Sequence, residues 1–182
     1  MSDPVSALNG ASFEGFATIR EIGPLGMITL RAKGLKTLDK AIKAAVGVKT
    51  PAQRRIEVNG DRSCGWMSPD EYLLVMPYGE VANTLETLAK SLKNEHYLAV
   101  DVSDARAVFR IEGDRAADVL AKLSPTDFST LAPGELRRTR TAQVAAALWQ
   151  QDQGFTLVCF RSVAGYVMGL LRQSAQPGTT LD

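Results

Sequence analysis

Twice in this sequence an apolar run of strand length leads directly into a segment with helical periodicity. "EYLLVMP" (71–77) is followed by "GEVANTLETLAKSLKN" (79–94), and "FTLVCFR" (155–161) by "SVAGYVMGLLRQ" (162–173). A run of about seven residues suits a strand, and spacings of three and four suit a helix with one buried face. In the first helix the stripe is Val81, Leu85, Leu88 and Leu92, with Glu80 in the first turn and Lys90 and Lys93 at the end, matching the helix dipole. In the second, Ser162 is the expected cap and Val163, Tyr166, Val167, Leu170 and Leu171 the expected inward face.

The intervening segments fit the same alternation. "GMITLRA" (26–32) reads as a strand, and "LKTLDKAIKAAV" as a helix through Leu38, Ile42 and Ala45 that stops at Gly47. "RRIEVNGDRSCGWM" reads as a hairpin with Asn59-Gly60 as its turn. "YLAVDV" and "RAVFRIEG" read as strands, the latter with Ala107, Phe109 and Ile111 on one face. "DRAADVLAKL" reads as a helix capped by Asp114, and "RTRTAQVAAALWQ" as further strand. Hairpin connections mixed with few helical crossovers imply an α+β fold of two ferredoxin-like halves with mostly antiparallel sheet. The expected organisation is an irregular arm over 1–25, then one domain over 26–182. Its halves lie at about 26–96 and 97–174, and a short C-terminal tail follows.

Composition narrows the function. Of 182 residues, 45% are hydrophobic and 23% charged, as in an ordinary globular protein. A formal net charge of +1 supplies no field for nucleic acid or anionic lipid, so partners are selected by shape. No apolar run approaches the roughly 20 residues of a membrane helix. The first residues show neither the basic nor the apolar region of a secretory signal, and cytoplasm is the expected location.

A search for chemistry nominates several residues and retains none as catalytic. Asp70 and Glu71 could form an acid–base pair, but Ser68-Pro69-Asp70-Glu71 is also turn chemistry. Adjacent residues entering a strand point to opposite faces, so the two carboxylates are not expected to converge. Cys64 lies near Arg62, without a neighbouring His or Lys to activate it, and Cys159 sits between apolar residues. His96 is the only histidine, which disfavours both a triad and a multi-ligand zinc site. The glycines form no phosphate-binding motif. Arg137, Arg138 and Arg140 could form a basic stripe, yet no aromatic residue interleaves them. Asp101, Ser103 and Asp104 suit a hydrogen-bonded corner, and Trp66 suits a core or an interface. Catalytic, cofactor-binding and metal-binding residues are therefore all expected to be absent.

Four ordered blocks carry a resemblance. "GWMSPDEYLLV" (65–75), "VDVSDARAVFRIEGDRAADVLAKLSPTDF" (100–128), "RTRTAQVAAALWQ" (138–150) and "FRSVAGYVMGLL" (160–171) resemble the gamma subunits of heterotetrameric sarcosine oxidases. The resemblance implies a complex with alpha, beta and delta subunits that oxidatively demethylates sarcosine to glycine, forming hydrogen peroxide and methylenetetrahydrofolate. It implies FAD, FMN, NAD, zinc and tetrahydrofolate on the other subunits, no cofactor on this chain, and a non-catalytic structural role in assembly. A weak homodimer of the isolated chain is an accompanying expectation. Where the family commonly has Gly-Cys-Pro, this chain has Leu123-Ser124-Pro125.

"DVS" (101–103) with "FRIEGDRAADVL" (109–120) is more distantly similar to the folate-binding glycine-cleavage T-protein. That likeness implies a stand-alone folate-binding module or aminomethyltransferase-like protein as the alternative. T-proteins carry paired aspartates where this chain has Phe155-Thr156, so the likeness implies a shared fold without that carboxylate.

Overall fold

The structure is a computed structural model and describes residues 3–181. The first two positions of the expected arm and the last of the expected tail lie outside them. In chain order the strands are β1 (Ser12–Glu14), β2 (Thr18–Ile22), β3 (Leu25–Ala32), β4 (Ile56–Asn59), β5 (Arg62–Ser68), β6 (Glu71–Pro77), β7 (Tyr97–Asp101), β8 (Arg106–Glu112), β9 (Leu136–Thr141), β10 (Val144–Gln151) and β11 (Gly154–Phe160). The helices are α1 (Leu38–Val46), α2 (Val81–Ser91), α3 (Ala116–Ala121) and α4 (Ala164–Ser174). Contacts divide the chain into two units. One is Leu25–Ser103; the other joins the segment up to Pro24 with the segment from Asp104 onward.

The Leu25–Ser103 unit is a β-α-β-β-α-β arrangement with an added edge strand, in sheet order β4-β5-β6-β3-β7. Every pairing is antiparallel. Alternation puts Ile28, Leu30, Tyr72, Leu74 and Met76 on the face that meets Leu38, Ile42, Val81, Leu88 and Leu92 of the helical segments. Gly47 ends α1 with φ 74°, its N–H donating to Lys43 O at 2.9 Å, the left-handed stop that glycine takes without a Cβ penalty. The first hairpin is shifted by one residue from expectation: Asn59 pairs with Arg62, so the turn is Gly60-Asp61, with Gly60 at φ 60°.

The second unit has sheet order β1-β2-β8-β11-β10-β9, again antiparallel throughout. Its β8, α3, β10, β11 and α4 repeat the pattern of the first unit, but among the described residues no strand follows α4. The place that β7 takes beside β3 is taken beside β8 by β2, from the N-terminal segment. The irregular arm expected over 1–25 is therefore corrected: it holds two strands, and Ile19, fully buried, sits opposite Ile111 in the core. The sequence signal was weak because Thr18–Ile22 is short and alternates apolar with charged residues.

Earlier residues are tied down by polar groups. The buried Glu21 carboxylate accepts from Ser6 Oγ at 2.8 Å, Ala7 N at 2.9 Å and Gly10 N at 2.9 Å. Arg161 donates to Val5 O at 2.9 Å and Ser6 O at 3.1 Å. The C-terminal tail is held by Lys122, whose Nζ donates to Ser174 O at 2.7 Å and to Thr179 Oγ1 at 2.9 Å.

Other boundaries differ for local reasons. β7 pairs with β3 and so belongs with the Leu25–Ser103 unit, not with the half expected to begin at 97. "RTRTAQVAAALWQ" is two strands, broken at Ala142-Gln143, where Ala142 takes φ 51° and its N–H donates to Leu123 O at 2.6 Å. Asp114 does not cap α3, whose N-cap is Arg115, and a 3₁₀ turn over Arg161–Val163 displaces Ser162 from the cap of α4. Helical geometry then aims Ala164, Val167, Met168 and Leu171 inward and leaves Tyr166 exposed, where the spacing had placed it inside.

The join between α4 and β2 is tight. Phe16 N donates to Ala175 O at 3.0 Å, and a Cβ on Gly15 would lie 1.9 Å from that same oxygen. Gly15→Ala is expected to destabilise by about 1–3 kcal/mol through overpacking at backbone that cannot yield. In thermal unfolding this is a fall in Tm of about 2–4 °C per kcal/mol. Deleting everything before Leu25 is expected to abolish the cooperative transition, because it removes a central strand; a far-UV CD melt reads both.

Candidate functional site

The sequence candidates fall at separate places, and each has a local structural role. Pro69 and Asp70 form the turn between β5 and β6, with Ser68 paired to Glu71. Ser68 Oγ donates to Asp70 Oδ1 at 2.8 Å, and this bond is the main reason the Asp70 carboxyl titrates below its ordinary value. Asp70 and Glu71 flank one internal guanidinium. Arg31 Nη2 donates to Glu71 Oε2 at 3.2 Å, and its Nη1 lies 3.8 Å from Asp70 Oδ2. Strand alternation does not govern Asp70, which is in the turn, and Arg31 is the register partner of Glu71 across β3 and β6. Both carboxylates thus meet a guanidinium of their own sheet.

Cys64 is fully buried in the core of its unit, and burial, aided by the nearby Glu57 carboxylate, pushes its thiol well above the ordinary range. Burial pushes Cys159 up to about 11, against a smaller opposing effect of Arg106. Low thiolate content and low access make both poor nucleophiles at neutral pH. His96 is exposed beyond α2. The three arginines do not form one stripe: Arg138 and Arg140 are exposed on one face of β9, whereas Arg137 turns to the other and pairs with Glu135 at 2.8 Å.

The Asp101–Ser103 corner is present as expected. Ser103 donates to Asp101 Oδ1 through both Oγ, at 2.5 Å, and N, at 2.9 Å, and Ser103 Oγ accepts from Met27 N at 2.9 Å. Trp66 is half-buried against the core of its unit, and its backbone N–H donates to Arg55 O at 2.9 Å beside a β-bulge. Ser124 donates to Thr126 Oγ1 at 3.1 Å and lies 3.3 Å from Thr139 Oγ1. A hydroxyl trio occupies that position.

The most developed polar arrangement was not singled out in the sequence. An open cleft of about 480 Å³ is lined by Arg110, Glu112, Gly113, Asp152 and Gln153. Arg110 is nearly buried and gives Nε to Glu112 Oε1 at 3.3 Å, Nη1 to Thr156 Oγ1 at 3.2 Å and Nη2 to Gln151 O at 2.7 Å; Asp152 stands 3.6 Å away. Glu112 also takes Arg20 of β2. The available signal was a lone arginine within the apolar strand "AVFRIEG". With acceptors on all three nitrogens, this guanidinium clamps the β10–β11 turn, where Asp152 takes φ 51°.

Thr156 is thereby spent on Arg110, and Phe155 packs edge-on against Phe128 with ring centroids 5.4 Å apart. Among the described residues no group of three or more His, Cys, Asp or Glu side chains could hold a metal ion, and no helix is long and apolar enough to cross a membrane.

Comparison with known proteins places this geometry in a family. Residues 34–176 match the sarcosine oxidase, gamma subunit family. The chain is 36% identical over 145 residues to the sarcosine oxidase subunit gamma of Corynebacterium sp. strain U-96, covering 77% of this chain and 69% of that protein. It is 30% identical over 151 residues to the same subunit of strain P-1, covering 81% and 73%. Among solved structures, the heterotetrameric sarcosine oxidase from Corynebacterium sp. U-96, in complex with pyrrole 2-carboxylate, superposes with a TM-score of 0.80 at 27% identity, covering 87% of this chain and 83% of that one. The glycine cleavage system aminomethyltransferase T from Bartonella henselae shares the fold, with a TM-score of 0.66 at 13% identity, covering 86% of this chain and 45% of that one. The chain belongs to the sarcosine oxidase gamma subunit family.

Proposed function

We propose that this chain is a non-catalytic structural subunit of a cytoplasmic heterotetrameric sarcosine oxidase, docking on alpha, beta and delta subunits and supporting their geometry. The complex would oxidise sarcosine to glycine, with hydrogen peroxide and methylenetetrahydrofolate as further products. FAD, FMN, NAD, zinc and tetrahydrofolate would sit on the other subunits, and this chain would carry no catalytic, cofactor or metal residue. The observation that carries this reading is where the reactive side chains are spent. Asp70 and Glu71 meet Arg31, Glu112 and Asp152 meet Arg110, and both thiols are buried. Carboxylates paired with internal guanidinium groups and protonated, buried thiols are not poised for proton transfer or nucleophilic attack.

The fold shared with an aminomethyltransferase favours one alternative, a stand-alone folate-binding module. Saturable quenching of the Trp66 and Trp149 fluorescence by tetrahydrofolate would support it; the subunit reading expects no saturable response. Co-expression with alpha, beta and delta chains is expected to return all four in one complex by affinity capture, and recovery of this chain alone would refute the assembly role. Native protein is expected to resist thiol-specific reagents at pH 8, with both cysteines reacting once denaturant is added. Modification of folded protein at the rate of a free thiol would contradict the burial argument.

A further inference from the structure

Two of the four asparagines in this chain, Asn9 and Asn59, are followed by glycine. Such a pair is chemically labile, because no Cβ on the second residue shields its backbone nitrogen from the asparagine side chain in front of it. Attack of that nitrogen on the asparagine Cγ closes a five-membered succinimide ring. The fold treats the two pairs differently. Asn9 and Gly10 take φ 53° and 72°, and Gly10 N donates to the buried Glu21 carboxylate at 2.9 Å and to Ser6 Oγ at 3.3 Å. A nitrogen must shed its proton to attack. A carboxylate bonded to that N–H holds it in place and disfavours the amide anion.

Asn59 has no such guard. It is exposed at the end of β4, and Gly60, at the tip of the β4–β5 hairpin, makes no hydrogen bond through its nitrogen among the described residues. A Cβ on Gly60 would meet no atom within 4 Å, so the space that a closing ring needs is open. The tip is free although its base is fixed: Arg62, after the turn, gives Nε and Nη2 to Glu80 at 2.8 Å each. The Asn59 amide itself is lightly held, with Nδ2 donating to Gly47 O at 3.4 Å at an exposed site. That contact lies across the C-terminal end of α1, where a Cβ on Gly47 would come within 2.8 Å of Nδ2.

We propose that Asn59 deamidates spontaneously in the folded protein, whereas Asn9, with the same following glycine, is protected by Glu21. Gly60 N bonds to Asn59 Cγ and its proton passes to solvent; the Cγ–Nδ2 bond breaks, and the side-chain nitrogen leaves as ammonia. Water then opens the ring at either carbonyl, giving aspartate, or isoaspartate with the main chain routed through Cβ. Nothing is oxidised or reduced. A carboxylate replaces the donor that faced Gly47 O, at the helix end where negative charge is unfavourable. The inference rests on the two asparagine–glycine pairs and is independent of the assembly role proposed above. The test is ageing of the purified full-length chain at pH 8, in native buffer and in denaturant, with peptide mass mapping of both sites over time. In native protein the peptide containing Asn59 is expected to gain the mass of an amide-to-acid exchange several-fold faster than the peptide containing Asn9, and to separate into aspartate and isoaspartate forms. In denaturant the two rates are expected to converge, because the fold is what separates them. Asn59→Gln, which would have to close a less favourable six-membered ring, is expected to abolish the native signal, with far-UV CD verifying that the variant is folded. Native protein in which Asn59 persists while the denatured chain converts overturns the inference. So does native conversion of Asn9 at the rate of Asn59, or a several-fold gap between the sites that survives denaturation.

Discussion

The pairing of β2 with β8 is the interaction on which the second unit depends. One continuous segment gives the unit a strand, a helix, three strands and a helix, but among the described residues no strand after α4 is there to flank β8. Residues from the other end of the polypeptide supply it, with Thr18–Ile22 in antiparallel register against residues 108–112. Ile19 is fully buried there; burial of one such side chain stabilises by about 1.5–3 kcal/mol, and the ladder satisfies backbone groups that would otherwise face the edge. The buried Glu21 carboxylate extends the effect by fixing the turn at Ser6–Gly10, so one strand orders most of the first twenty residues.

The same economy explains why no reactive centre stands out. The charged side chains most nearly buried in the two units, Glu71, Arg110 and Glu21, each satisfy a partner in their own unit. An ionised group taken out of water costs free energy unless it is paired, and pairing removes the chemistry it could have performed on a substrate.

Much of this was legible in advance because it depends on local pattern. The alternation in "GMITLRA" and "EYLLVMP", the helical stripe of α2 and the glycine stop of α1 are properties of a few consecutive residues. The burial of Cys159 was legible too, since it lies between Val158 and Phe160, whereas Cys64, beside Arg62 and Ser63, gave no such signal. Three other features were not. Arg31 bridging Asp70 and Glu71 depends on the register of β3 against β6, forty positions apart; the clamp of Arg110 depends on β8 lying beside β11; and the break at Ala142 is made by an alanine in a left-handed conformation that alanine rarely adopts.

The sequence by itself determined most of the strands and helices from residue 26 onward, the two-fold repetition of that pattern and the family resemblance, because periodicity and motif are written along the chain. Only the tertiary structure decided which strands are neighbours. That choice moved β7 into the first unit and drew β2 into the second. Strand pairing is a contest among backbone edges that are chemically alike, and it is resolved by which faces can be buried together, a property no short window of residues contains.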